Sequence, residues 1–191
     1  VDAEAWDARY AAAERVWSAE PNHWVVVLTE DLRPGTALDL AAGEGRNALW
    51  LAERGWQVTA VDFSSVAVER GRSAGQGARV DWQVADVTTY APDGLVDLVL
   101  VCYLHLPRET MRRVLVHAAS WVAPGGHLVV IGHAVRNLTE GCGGPQDPDR
   151  LQDADLYARA AHGLLVERLE EVDRVTPEGT AIDVVLRARR P

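Results

Sequence analysis

The chain has 191 residues, 48% hydrophobic and 25% charged, a composition that suits one globular domain and argues against disorder. With 19 Lys+Arg against 28 Asp+Glu, the net charge is −9, and every one of those cations is Arg. That balance disfavours nucleic-acid or anionic-membrane binding, and the missing Lys excludes Schiff-base chemistry and a phosphate-loop lysine.

Two helical segments are predicted before Thr36. In the first, Trp6, Tyr10, Ala13 and Trp17 recur on one helical face. That face either docks on the core or forms a lid over a ligand. From Thr36 onward strands and helices alternate. Thr36–Ala41 reads as a strand, Arg46–Glu53 as a helix closed by Gly55, and Gln57–Asp62 as a strand. A helix over Val66–Ala74 is followed by strands at Arg79–Val84 and Leu95–Val101. Next come a helix at Arg108–Val122, stopped by Pro124-Gly125-Gly126, and an apolar strand at His127–Ile131. This alternation predicts an α/β fold with an open, mostly parallel sheet and helices on both faces. Leu165–Val175 and Ala181–Ala188 depart from it. Their short Pro/Gly connection is too small for a parallel crossover, so they form a C-terminal antiparallel hairpin and complete seven strands. One domain is expected over residues 1–191, with a helical lid at 1–34 and the sheet core at 36–191.

Two cysteines, Cys102 and Cys142, are too few for a disulfide framework or a structural zinc site. The acidic N-terminus lacks the features of a signal peptide, and no apolar run is long enough to span a membrane, so a cytoplasmic location is expected.

In an open α/β sheet, ligands bind beyond the carboxyl ends of the strands. The first such end runs Asp39-Leu40-Ala41-Ala42-Gly43-Glu44-Gly45-Arg46-Asn47-Ala48. Its glycines let the backbone pass close to a ligand. The second end, Val61-Asp62-Phe63-Ser64, places a carboxylate where it can accept from two ribose hydroxyls. Asp62 could instead cap the following helix, a task open to Ser64 or Ser65 as well. The third end carries Asp86 and Val87, which suit an adenine edge. The fourth carries Cys102, Tyr103 and His105, and the fifth carries His133.

The first three of these ends, Asp39-x-x-x-Gly43-x-Gly45, Asp62-Phe63-Ser64 and Ala85-Asp86-Val87, with Ala123-Pro124-Gly125-Gly126 ahead of the fifth strand, together resemble class I S-adenosylmethionine-dependent methyltransferases. Ala42-Gly43-Glu44-Gly45-Arg46-Asn47-Ala48 and Leu51-Ala52-Glu53-Arg54-Gly55 are similar to the small tellurite-resistance and thiopurine-type members. The resemblance implies a Rossmann-like core, S-adenosyl-L-methionine as cofactor and S-adenosyl-L-homocysteine as product. It implies that Asp39 and the Gly43–Gly45 loop hold the amino-acid part, that Asp62 binds the ribose, that Phe63 packs on adenine, and that Ala41, Arg46 and Ser64 also line the cofactor. Asp86 and Val87 would read the adenine edge, and Cys102 would lie beside the cofactor through its backbone. Ala42 stands where many members have Gly.

Arg46 sits in the first turn of a helix, where the dipole disfavours a cation. A carboxylate of the cofactor, or a protein acid such as Asp7, would compensate. Of six histidines, His105 and His133 follow strands at the ligand edge and are candidate bases, with His105 favoured. Tyr103, Trp6, Tyr10 and Cys142 join them as candidates around the acceptor. Residues 134–150 form a long Gly/Pro/Asn/Asp-rich stretch that could close over it. The expected activity is in-line methyl transfer to a small-molecule acceptor by a monomer or homodimer, with no nucleic acid, membrane or metal involved. The alternatives are a nicotinamide-dependent oxidoreductase and a non-catalytic S-adenosylmethionine-binding sensor.

Overall fold

The computed structural model describes residues 3–12, 16 and 18–191. The strands order as β3-β2-β1-β4-β5-β7-β6 in a seven-stranded sheet, the α/β arrangement expected, and the chain packs as two compact units, Val1–Val96 and Asp97–Pro191.

The first unit holds α1 (Ala3–Ala11), α2 (His23–Thr29), β1 (Thr36–Leu40), α3 (Arg46–Glu53), β2 (Gln57–Asp62), α4 (Ser65–Ala74) and β3 (Val80–Val84). Its strands pair in parallel, Leu40 opposite Val61 and Asp62 opposite Val84. Ala37, Leu38, Leu40, Ala60 and Val61 are almost fully buried, as short apolar strands covered on two faces require. Ser64 caps α4 by accepting a 3.1 Å hydrogen bond from the Ala67 N–H. Asn22 caps α2 in the same way through the Trp24 N–H, and its own N–H donates to the buried Asn47 side chain on α3 at 2.9 Å. Ala13 and Trp17, expected on the face of α1, lie outside the described residues.

The second unit holds β4 (Val96–Cys102), α5 (Arg108–Ser120), β5 (Val122–His133), α6 (Asn137–Glu140), α7 (Ala154–Ala160), β6 (Leu165–Thr176) and β7 (Gly179–Arg189), with a 3₁₀ turn at Pro148–Arg150. The β6–β7 hairpin is antiparallel, and β7 pairs antiparallel with β5, which sets His133 opposite Asp183. Leu98–Val101, Leu128–Ile131 and Val184–Leu186 form the core of this unit.

Two expectations about local structure needed correction. Pro124-Gly125-Gly126 does not precede the fifth strand but lies within it. Gly125 takes φ 79°, its N–H donates to the Arg190 carbonyl, and the Arg190 N–H returns a bond to Gly126. The stretch 134–150 is also not structureless. The buried Asn137 side chain donates to the Gly143 carbonyl at 2.9 Å and accepts from the Ile182 N–H at 2.7 Å, so one amide side chain ties the glycine turn to β7. Helix α7 was not anticipated, although Asp153 caps it at the Leu156 N–H.

Trp82 on β3 explains two glycines of the first unit. A Cβ on Gly45 would come within 2.1 Å of its ring, and one on Gly71 within 2.3 Å. The indole is wedged between the strand-to-helix turn and α4. Gly71→Ala should therefore force Trp82 out of place and destabilise the protein by about 1–3 kcal/mol, the usual cost of overpacking. The urea midpoint measures this. Gly71→Ala as stable as wild type would contradict the wedge.

Candidate active site

Strand β1 ends in a turn that L-residues rarely adopt. Ala41 has φ 60°, Gly43 φ 58° and Gly45 φ 78°. A non-glycine residue in the left-handed region costs of order 1 kcal/mol and persists only where its surroundings impose it. Asp62 from the end of β2 does much of the imposing. One of its oxygens accepts from the Gly43 N–H at 2.8 Å and the other from the Ser64 N–H at 2.9 Å. A single buried carboxylate thus joins the ends of two strands. Burial pushes its pKa up, and the two backbone bonds oppose that rise. Ser64, not Asp62, caps α4.

Asp39 is 1% exposed, and neither of its carboxylate oxygens has a hydrogen-bond partner among the described residues. Burial, reinforced by the negative charge of Asp62, raises its pKa to about 7, while the Arg46 guanidinium pulls it down. A buried anion without donors is costly. A cationic amino group bonded to it would remove that cost, so this carboxyl group fits the amino-acid part of S-adenosylmethionine. Phe63 is half-buried, Val87 is buried and Asp86 is exposed, its side chain accepting from the Thr88 N–H at 2.8 Å.

Glu44, within the glycine turn, was not singled out from sequence. It accepts from the Val16 N–H at 3.0 Å and pairs with Arg70 at 3.2 Å. Arg46 donates to the Ser18 hydroxyl at 2.9 Å. Val16 and Ser18 therefore lie within hydrogen-bonding reach of Glu44 and Arg46. Asp7 is not the compensating acid expected for Arg46. Its carboxylate instead accepts from Ser64 Oγ, Ser65 Oγ and the Val66 N–H at the start of α4. Trp6 and Tyr10 pair at 5.6 Å on α1, and Tyr10 is buried.

The second unit gathers a separate cluster. Tyr103, at φ 57° just past β4, donates to Asp183 at 2.6 Å. Arg174 on β6 donates to the same Asp183 oxygen at 2.7 Å and lies over the Tyr103 ring. His133 Nδ1 is 3.3 Å from the other Asp183 oxygen. The rings of His105 and His133 stack at 5.5 Å, with Tyr103 4.9 Å from His133. Asp183 is fully buried; burial alone would raise its pKa, but His133, Arg174 and Tyr103 hold it below the usual carboxylate value. Burial, then the neighbouring His133 and Arg150, lower the His105 pKa to about 4. His105 is therefore a neutral imidazole at pH 7, with its buried Nε2 unpartnered among the described residues. Arg150 donates to the His105 carbonyl, and Gln152 to that of Leu104, so the backbone beyond β4 is held from the loop after β5.

Cys142 does not join this cluster. Its sulfur meets Thr176 Oγ1 at 3.5 Å beside the turn of the hairpin, and no group of His, Cys, Asp or Glu fit to hold a metal occurs among the described residues. Cys102 is half-buried at the end of β4. Asp183 and Arg174 were missed from sequence. The signal was an acid inside the apolar run Ala181-Ile182-Asp183-Val184-Val185-Leu186.

Comparison with known proteins fits this geometry. Residues 37–126 match the family model of a methyltransferase domain. The chain is 31% identical over 180 residues to glycine N-methyltransferase of Rattus norvegicus, covering 76% of this chain and 60% of that protein. It is 28% identical over 107 residues to ribosomal RNA small subunit methyltransferase C of Alcanivorax borkumensis, covering 53% of this chain and 33% of that protein. The chain thus spans only part of the length of these curated relatives. Among solved structures, one described for conversion of a disulfide bond into a thioacetal group during echinomycin biosynthesis aligns with TM-score 0.80 at 22% identity, over 98% of this chain and 91% of that one. The N-methyltransferase NodS of Bradyrhizobium japonicum, in complex with S-adenosyl-L-homocysteine, aligns with TM-score 0.76 at 17% identity, over 99% and 98%. TehB of Haemophilus influenzae aligns with TM-score 0.76 at 16% identity, over 90% and 63%. Residues 37–126 therefore match a methyltransferase domain, on a fold shared with the S-adenosyl-L-homocysteine complex of NodS.

The Asp39 pKa makes stability depend on pH. A carboxyl group whose folded pKa lies above its unfolded value binds more protons in the folded state. Stability is then lost as pH rises from about 4 to about 7. Asp39→Asn should flatten this part of the ligand-free pH–stability curve and gain on the order of a few kcal/mol relative to wild type at pH 8. Denaturation curves from pH 4 to pH 8 decide it. Parallel curves for the two proteins would refute a protonatable Asp39.

Proposed function

We propose that the chain methylates a small molecule, taking the methyl group from S-adenosylmethionine bound at the β1 and β2 strand ends. The observation that carries this reading is the Asp39 carboxylate, buried and with neither oxygen hydrogen-bonded among the described residues, just ahead of the left-handed residues 41, 43 and 45. Asp39 and the turn hold the cationic amino-acid part. Asp62 keeps the turn closed with one lone pair on each oxygen, which leaves the others to accept from ribose hydroxyls. Phe63 packs on adenine, while Asp86 and Val87 read its edge. The cofactor supplies a sulfonium methyl that leaves a neutral thioether, so no group need protonate the leaving atom. What the chain must supply is alignment and, for a protic acceptor, a place for the proton.

Tyr103, His105 and His133 of the second unit are proposed as acceptor-contacting residues. Stacked imidazoles and a half-buried tyrosine suit a small molecule better than a phosphate backbone. The net charge of −9 points the same way, although one relative is named for ribosomal RNA. Trp6 and Tyr10 are proposed to cover the bound ligand from α1. No described helix is long and apolar enough to cross a membrane.

Calorimetric titration with S-adenosylmethionine tests the cofactor placement. Binding should drive ionisation of Asp39, so near pH 6 proton release should appear as a heat that varies with the ionisation enthalpy of the buffer. Asp62→Ala should weaken binding at least tenfold, since hydrogen bonds to a charged group are worth about 1.5–3 kcal/mol each. Wild-type affinity in Asp62→Ala would sink this placement.

A further inference from the structure

We infer that Trp82 is a positioning residue for the cofactor: its indole holds the Gly43–Gly45 turn and the start of α3 in the shape that receives the amino-acid part of S-adenosylmethionine. The inference rests on the cofactor placement proposed above and lies wholly within the first unit.

The three residues of the turn are each held from a different element. The Gly43 N–H donates to Asp62 at the end of β2 at 2.8 Å. The Glu44 carboxylate pairs with Arg70 on α4 at 3.2 Å. Gly45 meets the Trp82 ring from β3, and a Cβ there would overlap the six-membered part of the indole. A hydrogen bond fixes the distance to one atom. A packed ring excludes volume across a whole side of the residue.

Gly45 is where that exclusion matters. It is the N-cap of α3 at φ 78°, with no side-chain cap. Its N–H donates to the Ala42 carbonyl at 2.9 Å, and its own carbonyl accepts from the Leu49 N–H of α3 at 2.8 Å. A Gly-x-Gly turn left to itself samples several backbone conformations, because glycine lacks a Cβ to forbid them. Helix α3 brings Arg46 and the Ala48 backbone toward Asp39. The setting of the Gly45 joint therefore decides how the turn and α3 stand around that carboxylate.

Trp82 itself has little freedom. Its backbone pairs with Ala60 of β2, and its carbonyl accepts from Arg72 on α4 at 3.3 Å. The ring also meets Gly71 of α4, where a Cβ would clash with it and come within 3.0 Å of the Glu44 carbonyl. Two glycines, one in the turn and one on α4, thus form the slot for the indole. Filling space alone would be met by a smaller side chain between two alanines. A large rigid ring between two bare Cα atoms instead transmits the position of α4 to the turn. When that support is disturbed, the fraction of turns in the receiving shape falls, and the apparent cofactor affinity falls with it.

The test uses the full chain and calorimetric titration without denaturant. The ligands are S-adenosylmethionine and 5′-methylthioadenosine, which keeps the nucleoside and lacks the amino-acid part. The chains are wild type, Gly71→Ala, Trp82→Ala and the two substitutions together, with Trp82→Phe in place of Trp82→Ala where the latter does not fold. Gly71→Ala crowds the ring without altering a proposed cofactor contact. It should weaken S-adenosylmethionine binding about tenfold, as a receiving population cut to about a tenth requires, and leave 5′-methylthioadenosine binding as in wild type. Combined with Trp82→Ala, the Gly71 substitution should add no further loss, because it acts through the ring. A purely structural role would lower the urea midpoint and leave the affinities of the folded protein unchanged. Wild-type S-adenosylmethionine affinity in Gly71→Ala, equal losses for both ligands, or a Gly71→Ala loss that persists without the indole would overturn the inference alone. A wild-type chain that binds no S-adenosylmethionine would overturn it together with the cofactor placement.

Discussion

A buried carboxylate must find compensation, and three of them organise this protein. Asp39, Asp62 and Asp183 are each 5% exposed or less. Removing an ion from water costs several kcal/mol even after relaxation, so each group has to be paired, bonded or protonated. The three meet that requirement differently, and the differences separate scaffold from site.

Asp62 is compensated by backbone. Its bonds to the Gly43 and Ser64 N–H groups hold the β1 turn against the start of α4 and lower the cost of the left-handed residues at 41, 43 and 45. Asp183 is compensated by side chains from elsewhere in its own unit, with Tyr103, Arg174 and His133 each approaching it. Neither Asp39 oxygen has a partner within hydrogen-bond geometry among the described residues, and burial raises the Asp39 pKa to about 7 against the opposing pull of Arg46 and the Ala48 backbone. Asp62 and Asp183 thus build local geometry with their partners, whereas both Asp39 oxygens lack one among the described residues.

The same contrast explains the histidines. His105 and His133 stack on one another, yet only His133 has a carboxylate beside it. Two imidazoles in contact cannot both carry a proton cheaply, and burial with His133 and Arg150 nearby keeps His105 neutral.

The order of elements was legible in the amino-acid sequence because it is written in local periodicity. The helix Arg46–Glu53 and the strand Gln57–Asp62 have the boundaries the residues predict, and the Pro/Gly link at 177–179 dictates an antiparallel hairpin. The glycine turn and the acids at strand ends were visible for the same reason, since strand-to-helix junctions are local. The partners of those acids were not. Asp7 serves α4 across 57 residues rather than Arg46, and Asp183 meets Tyr103 across 80. Trp82 gives Gly45 and Gly71 a packing reason that no spacing rule contains. Asp183 was overlooked because one acid in an apolar strand looks like noise until β5 is set opposite β7. Periodicity reports which face of an element is buried. Which charge meets which is decided by strand register and packing, and these exist only once the chain has folded.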